Sequence, residues 1–146
     1  MEFWHHHIGI SVPDLDASIE WYQRVLGFQL ARRLRIESIP AEYAMVKNGP
    51  MHIELICAPG AKPLPAERLE PDSDARTLGN KHGAFGVENV PAFVEEIKRR
   101  GADIVWVKIF PKGASCFVRD NAGNLLEFMQ APRFEERVGD IGAPAP

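Results

Sequence analysis

At 146 residues the chain has room for one compact domain, or for two small repeats that share a core. Hydrophobic residues at 45% and charged residues at 25% are ordinary for a soluble globular protein, and no apolar run approaches the roughly 20 residues that cross a bilayer. A net charge of −3 argues against nucleic acid or an anionic membrane as the main partner.

The N-terminus, MEFWHHH, lacks the basic n-region and apolar h-region of a secretory leader. Cys57 and Cys116 match no metal or redox spacing. The expected setting is therefore the cytoplasm, with both thiols reduced. A first strand is expected over residues 4–12, with His5, His7 and Gly9 on one side and His6, Ile8 and Ile10 on the other. Asp14 then offers an N-cap. Leu15, Ile19, Tyr22 and Leu26 recur at helical steps, and Gly27 stands where a helix should stop. Strands are expected at 29–39, 42–47 and 51–58, with turns at Pro40-Ala41 and Asn48-Gly49-Pro50.

Residues 59–80 hold four of the twelve prolines and few large apolar side chains, and read as a linker. It is long enough to act as a flap or to reach a partner subunit, and a plain surface connection serves equally. Beyond it, a strand is expected at 81–88 and a helix at about 91–100. The helix is capped by Asn89 and closed by Gly101, with Lys98, Arg99 and Arg100 suiting its last turn. Strands at 103–109, 114–119 and 124–130 follow, and the tail at 132–146 has no periodicity.

The second half repeats the first. HGAFGVENVPAFVEEIKRRGAD restarts at His82 the plan of HIGISVPDLDASIEWYQRVLGF at His7, an offset of 75 residues. Glu54 in HIELICA lies 47 residues after His7, and Glu127 in NLLEFMQ lies 45 after His82. The fold class is thus α+β: two βαβββ repeats, 1–58 and 81–131, forming a curved mixed sheet or half-barrel.

Strand parity then matters. Apolar neighbours of each His and Glu face one way, so the His and Glu face the other. If strands 1, 4, 5 and 8 lie side by side, two imidazoles and two carboxylates converge on the concave face. Two half-buried carboxylates repel unless a cation joins them, and a His₂Glu₂ set suits a divalent transition metal. A lone strand His is more often a rim or core residue, but both residue types recur in both halves. His52 shares the parity of Glu54 and is a candidate for substrate contact or a rim histidine. Lys112, beside Gly113, could hold an anionic substrate end or sit in a solvated turn. Arg119 and Tyr43 are further candidates for substrate contact.

These motifs, with the ending DNAGNLLEF, resemble the vicinal oxygen chelate superfamily, the glyoxalase/bleomycin-resistance/dioxygenase fold, over about residues 3–131. The resemblance implies metal ligands at His7, Glu54, His82 and Glu127, the set of bacterial-type glyoxalase I. Related epimerases usually have Gln where Glu54 stands, and three-ligand thiol transferases and extradiol dioxygenases fit less well. It implies one divalent ion per site (Ni, Co, Mn, Fe or Zn), with Glu127 or Glu54 as the proton-transferring base. The expected reaction is of the lyase, isomerase or epimerase type, on a small substrate chelating through adjacent oxygens. The Arg and Asn that grip glutathione in glyoxalase I correspond to Ser11 and Ala58 here, so glutathione is not expected to be required. The alternatives are a metal-free drug-binding protein of the bleomycin-resistance type and a ring-cleaving dioxygenase. Open sheet edges predict a homodimer. The sequence leaves open whether one chain completes a site or two chains share it.

Overall fold

The computed structural model describes residues 1–130. The first half contains β1 (Ile8–Ser11), α1 (Leu15–Leu26), β2 (Gln29–Arg35), β3 (Glu42–Asn48) and β4 (Met51–Cys57). The second contains β5 (Gly83–Val87), α3 (Val90–Arg99), β6 (Asp103–Phe110), β7 (Gly113–Arg119) and β8 (Leu125–Gln130). The first sheet runs β1-β4-β3-β2 and the second β5-β8-β7-β6, the same order twice. In each, the first and last strands of the repeat are parallel neighbours and the rest are antiparallel. This is the expected α+β duplication of two βαβββ units. The expected tail at 132–146 lies outside the described residues.

The helices begin and end where local chemistry dictates. The Asp14 side chain accepts from the Ala17 N–H at 2.9 Å, and the Asn89 side chain accepts from the Ala92 N–H at 2.9 Å. Gly27 closes α1 at φ +70°, a left-handed conformation that a side chain would strain. One face of each helix lies on its sheet. Leu15, Ile19, Tyr22, Val25 and Leu26 from α1, and Val90, Val94 and Ile97 from α3, join Ala44, Val46, Ile53, Leu55, Val118, Leu126 and Phe128 in one cluster spanning both halves.

Three boundaries differ from the sequence reading. β1 starts at Ile8 rather than at residue 4, leaving Phe3 and Trp4 exposed. Its ladder with β4 begins at Ile8↔Ile53 and β4 itself starts at Met51, so little partner backbone remains upstream. β2 ends at Arg35, because residues 36–39 turn back with the Ile39 N–H donating to the Ile36 carbonyl. The linker is also structured. A 3-10 turn at Ala66–Arg68 precedes the short helix α2 (Pro71–Asp74). Asp74 is buried, with Arg68 Nε at 2.9 Å and Lys81 Nζ at 3.4 Å from its carboxylate. Unpaired, a carboxylate would not stay buried there. Arg119 reaches across from β7 to the Leu69 carbonyl at 2.8 Å and also pairs with Glu70. The connector therefore packs against the second half.

The two halves meet at the turn between β7 and β8. Buried Tyr22 of α1 donates its hydroxyl to Asp120 Oδ2 at 3.0 Å, while Asp120 Oδ1 accepts the backbone N–H groups of Ala122 and Asn124 at 2.8 Å each. Asn124 Nδ2 donates to Asp120 Oδ2 and to the Ser11 carbonyl, and Asn121 donates to Ser18 Oγ. β1 also approaches β5: a Cβ on Gly83 would lie 2.8 Å from Ile8 Cδ1.

Burial first, and then the charge and hydrogen bond of Asp120, raise the Tyr22 pKa well above its ordinary 10.0. The unfolded chain releases this proton as pH passes 10.0, whereas the folded chain retains it. The stability it contributes is complete below 10.0 and declines as pH rises toward the folded value. Urea midpoints measured between about pH 8 and 11 should therefore fall, and less steeply in Tyr22→Phe. Identical slopes in the two proteins would remove Tyr22 as the cause.

Candidate metal centre

The repeated topology produces two matching pairs of side chains. In the parallel β1/β4 ladder Gly9 faces Glu54, and in the β5/β8 ladder Ala84 faces Glu127. His7 and His82 each lie two residues upstream of those glycine and alanine positions. They sit just before their strands and on the carboxylate side. His7 Nε2 is 3.5 Å from Glu54 Oε2, and His82 Nε2 is 3.1 Å from Glu127 Oε2. The flanking Ile53, Leu55, Leu126 and Phe128 point into the core and hold each carboxylate on the opposite face. Side-chain exposures of 32% and 22% for the first pair, and 28% and 16% for the second, leave all four groups reachable from outside.

The structure brings His7 to Glu54 and His82 to Glu127. It does not bring the two pairs into one cluster. β1 and β5 are not hydrogen-bonded neighbours, and among the described residues no three His, Cys, Asp or Glu side chains stand close enough to hold one ion. The side-by-side arrangement of strands 1, 4, 5 and 8 considered from the sequence is therefore not reached within one chain. Each half carries two of the four expected donors. Their chemistry, an imidazole beside a carboxylate, supplies half of a His₂Glu₂ donor set suited to a divalent transition metal.

The second pair is more firmly held than the first. Buried Ser115 of β7 donates its hydroxyl to Glu127 Oε1 at 2.7 Å, and the His82 ring meets Phe117 edge-on at 4.7 Å. Ser115 escaped the sequence reading, although its alternation with Phe117 along a strand beside β8 was a usable signal. Tyr43 holds the matching register position in the first half, opposite Ile56 as Ser115 is opposite Met129. It therefore lies on the Glu54 side of its sheet. A carboxylate gripped by a neighbouring donor is oriented before any ion arrives.

The other candidates are placed as follows. His52 lies at the start of β4, with Nδ1 3.1 Å from the Pro50 carbonyl, which ties it to the hairpin turn. Lys112 is exposed in the turn between β6 and β7. Arg119 is taken up by Leu69, Glu70 and Asp103, the last at 2.9 Å. Cys116, on the core side of β7, has its thiol pKa pushed up to about 11, first by burial and then by the Glu127 charge. A surface cavity of about 1040 Å³ lies elsewhere, between the β2–β3 turn and the chain leaving β4. Arg35, Glu37, Glu42 and Ala58 line it, and none of the four His and Glu side chains does. The paired side chains, not this hollow, form the candidate site.

Comparisons with known proteins agree with this fold. A family model described as "Glyoxalase/Bleomycin resistance protein/Dioxygenase superfamily" matches residues 6–119. "Glyoxylase I 4" of Arabidopsis thaliana is 27% identical over 125 residues, covering 84% of this chain and 67% of that protein. An uncharacterized protein of Pseudomonas aeruginosa is 27% identical over 128 residues, covering 84% of each. Among solved structures, a glyoxylase/bleomycin resistance protein/dioxygenase domain from Frankia sp. EAN1pec superposes with a TM-score of 0.71 at 24% identity, covering 91% of this chain and 95% of that one. The trypanothione-dependent glyoxalase I of Leishmania major gives 0.67 at 24% identity, covering 90% and 88%. At these identities the structural likenesses establish the fold.

Proposed function

Because this chain belongs to the glyoxalase/bleomycin resistance protein/dioxygenase superfamily, we propose that it is a divalent-metal-dependent lyase, isomerase or epimerase acting on a small molecule with two adjacent oxygens. The observation that carries this reading is the twofold recurrence of a His–Glu pair at equivalent register in the two sheets. His7 and Glu54 would hold the ion from one side, and His82 and Glu127 from the other. When bound, the ion supplies Lewis acidity to a carbonyl next to the carbon that loses a proton.

The residues of the chain account for the rest. A glutamate on each side of the substrate can take a proton and return it, which suits isomerisation or epimerisation. Of the two, Glu127 is fixed by Ser115 and His82, whereas among the described residues Glu54 is paired with His7 alone. Ser11 and Ala58 lack the guanidinium and the amide that grip the γ-glutamyl end of glutathione in glyoxalase I, so the proposed substrate need not carry glutathione.

Because each chain presents two half-sites, we further propose a homodimer in which the first half of one copy faces the second half of the other. Twofold symmetry then completes two equivalent sites. The open edges at β2 and β6 leave backbone groups that association can cover. No helix among the described residues is long and apolar enough to cross a membrane, and two unpaired cysteines suit a reducing cytoplasm.

The test is to strip the protein of metal, reload it with Ni²⁺, Co²⁺, Mn²⁺, Fe²⁺ or Zn²⁺, and follow solvent-deuterium incorporation into small 2-hydroxyketones and 2-oxo acids. The expected result is one ion per site and exchange that stops on chelation. Failure to bind any of these ions would favour a metal-free binding protein. Turnover with Fe²⁺ alone and matching O₂ consumption would favour a ring-cleaving oxygenase.

A further inference from the structure

The two sheets match in topology but not in what lies beside their His–Glu pairs. In the second half, Phe117 stands opposite Glu127 on the neighbouring strand, and Trp106 stands opposite Phe117 on the next. Their rings are 4.7 Å apart, and Phe117 is also 4.7 Å from the His82 ring. An unbroken row of three rings thus runs from the edge strand β6 to the candidate metal ligands. At the same register positions the first half has Met45 and Arg32. The fold does not require aromatic side chains there.

Two hydrogen-bond donors at the outer end of this row lack strong acceptors. The Trp106 indole nitrogen is buried and has no acceptor among the described residues. An unsatisfied buried N–H is costly in a folded protein. Lys108 lies over the same ring, with Nζ 4.2 Å from its centroid, a cation–π contact. Its ionic partner among the described residues, Asp72, is 3.8 Å away and 88% exposed, so that pair contributes little. Lys108 also faces Ser115 in the β6/β7 register, and Ser115 holds Glu127. Because the lysine side chain is 47% exposed, it can swing off the ring and uncover the indole.

We infer that Trp106, Phe117 and Lys108 form a subsite for the arm of the substrate that does not react, and that this arm is a flat, aromatic-sized group carrying a carboxylate. The apolar body lies along Trp106, whose ring is backed by the buried Phe117. The carboxylate accepts from the Lys108 ammonium and from the Trp106 N–H. The reacting end then reaches His82 and Glu127. This last placement rests on the proposed function, whereas the subsite itself does not.

The experiment therefore uses metal-stripped protein in a chelator, with calorimetric titration of phenylacetate, acetate and 2-phenylethanol. Phenylacetate should bind at least roughly tenfold tighter than either of the others, each of which lacks one half of the recognised group. Lys108→Gln, an exposed change that leaves folding intact, and Trp106→Phe, which keeps a ring and removes the N–H, should each weaken phenylacetate roughly tenfold. Equal binding of phenylacetate and acetate would overturn the inference, as would unchanged phenylacetate binding in Lys108→Gln. Binding that appears only after metal is added would also overturn it, because the ion would then be holding the carboxylate. If Trp106→Phe melts below the assay temperature, Lys108→Gln decides the outcome. Failure of the metal reading leaves these titrations unaffected, so the two proposals fail separately.

Discussion

Mixing His7→Ala chains with His82→Ala chains should restore about a quarter of wild-type metal binding, although each variant alone binds almost none. In the proposed dimer each site takes His7 and Glu54 from one copy and His82 and Glu127 from the other. A homodimer of either variant therefore lacks one ligand in both sites. Losing a residue that merely orients a ligand weakens metal binding by roughly 10–100-fold, and losing the ligand itself should weaken it further. In a mixed dimer one site carries both substitutions and the other carries none. Random pairing makes about half of the dimers mixed, and each has one intact site of two. The measurement is metal content by elemental analysis after the two variants are unfolded together and refolded. No recovery on mixing, with each variant deficient alone, would mean that a single chain rearranges to complete its own site. Retained metal in both variants would dismiss the ligand set.

Replacing Asp120 by Ala should lower the unfolding free energy by about 3 kcal/mol, and the midpoint temperature by about 10 °C. The carboxylate is buried and accepts four hydrogen bonds, from the Tyr22 hydroxyl, the Asn124 side chain and two backbone N–H groups. Its removal strands all four donors between the halves. Burial raises the Asp120 pKa above the ordinary carboxylate value, against the lowering by those same hydrogen bonds. The stability gained through this shift is complete below 3.8 and is lost as pH rises through the folded value. The Asp120→Ala deficit measured by thermal melts should therefore be larger in acid than at neutral pH. A change below about 0.5 kcal/mol would show that this turn does not join the halves energetically.

The features legible from sequence were those fixed by near neighbours or by the repeat. Asp14, Gly27 and Asn89 act within a turn of the helices they bound, so their roles need no tertiary knowledge. The duplicated His-to-Glu spacing carried the fold, because nearly the same spacing, 47 and 45 residues, in two βαβββ units places His beside Glu twice. Residues governed by distant contacts were less readable. Asp74 looked like one charge in a polar linker, and only the fold brings Arg68 and Lys81 to it. Ser115 is one small polar residue in an apolar strand until β8 is set beside it. The separation of the two His–Glu pairs depends on how the sheets sit relative to each other, which strand parity within each repeat does not report.

The apolar cluster shared by the two repeats bears on how the chain acquires its structure. Each sheet pairs strands of its own half, so hairpins and parallel ladders can form early from nearby residues. Tyr22 and Asp120, 98 positions apart, come together only when both halves are present. Each half alone would leave its share of the common apolar cluster open, and is not expected to persist. During synthesis, the first repeat must wait for the second before its tertiary packing closes, and denaturation should be a single transition with coincident fluorescence and circular dichroism curves. Two repeats with separate sheets are thereby expected to fold and unfold as one unit.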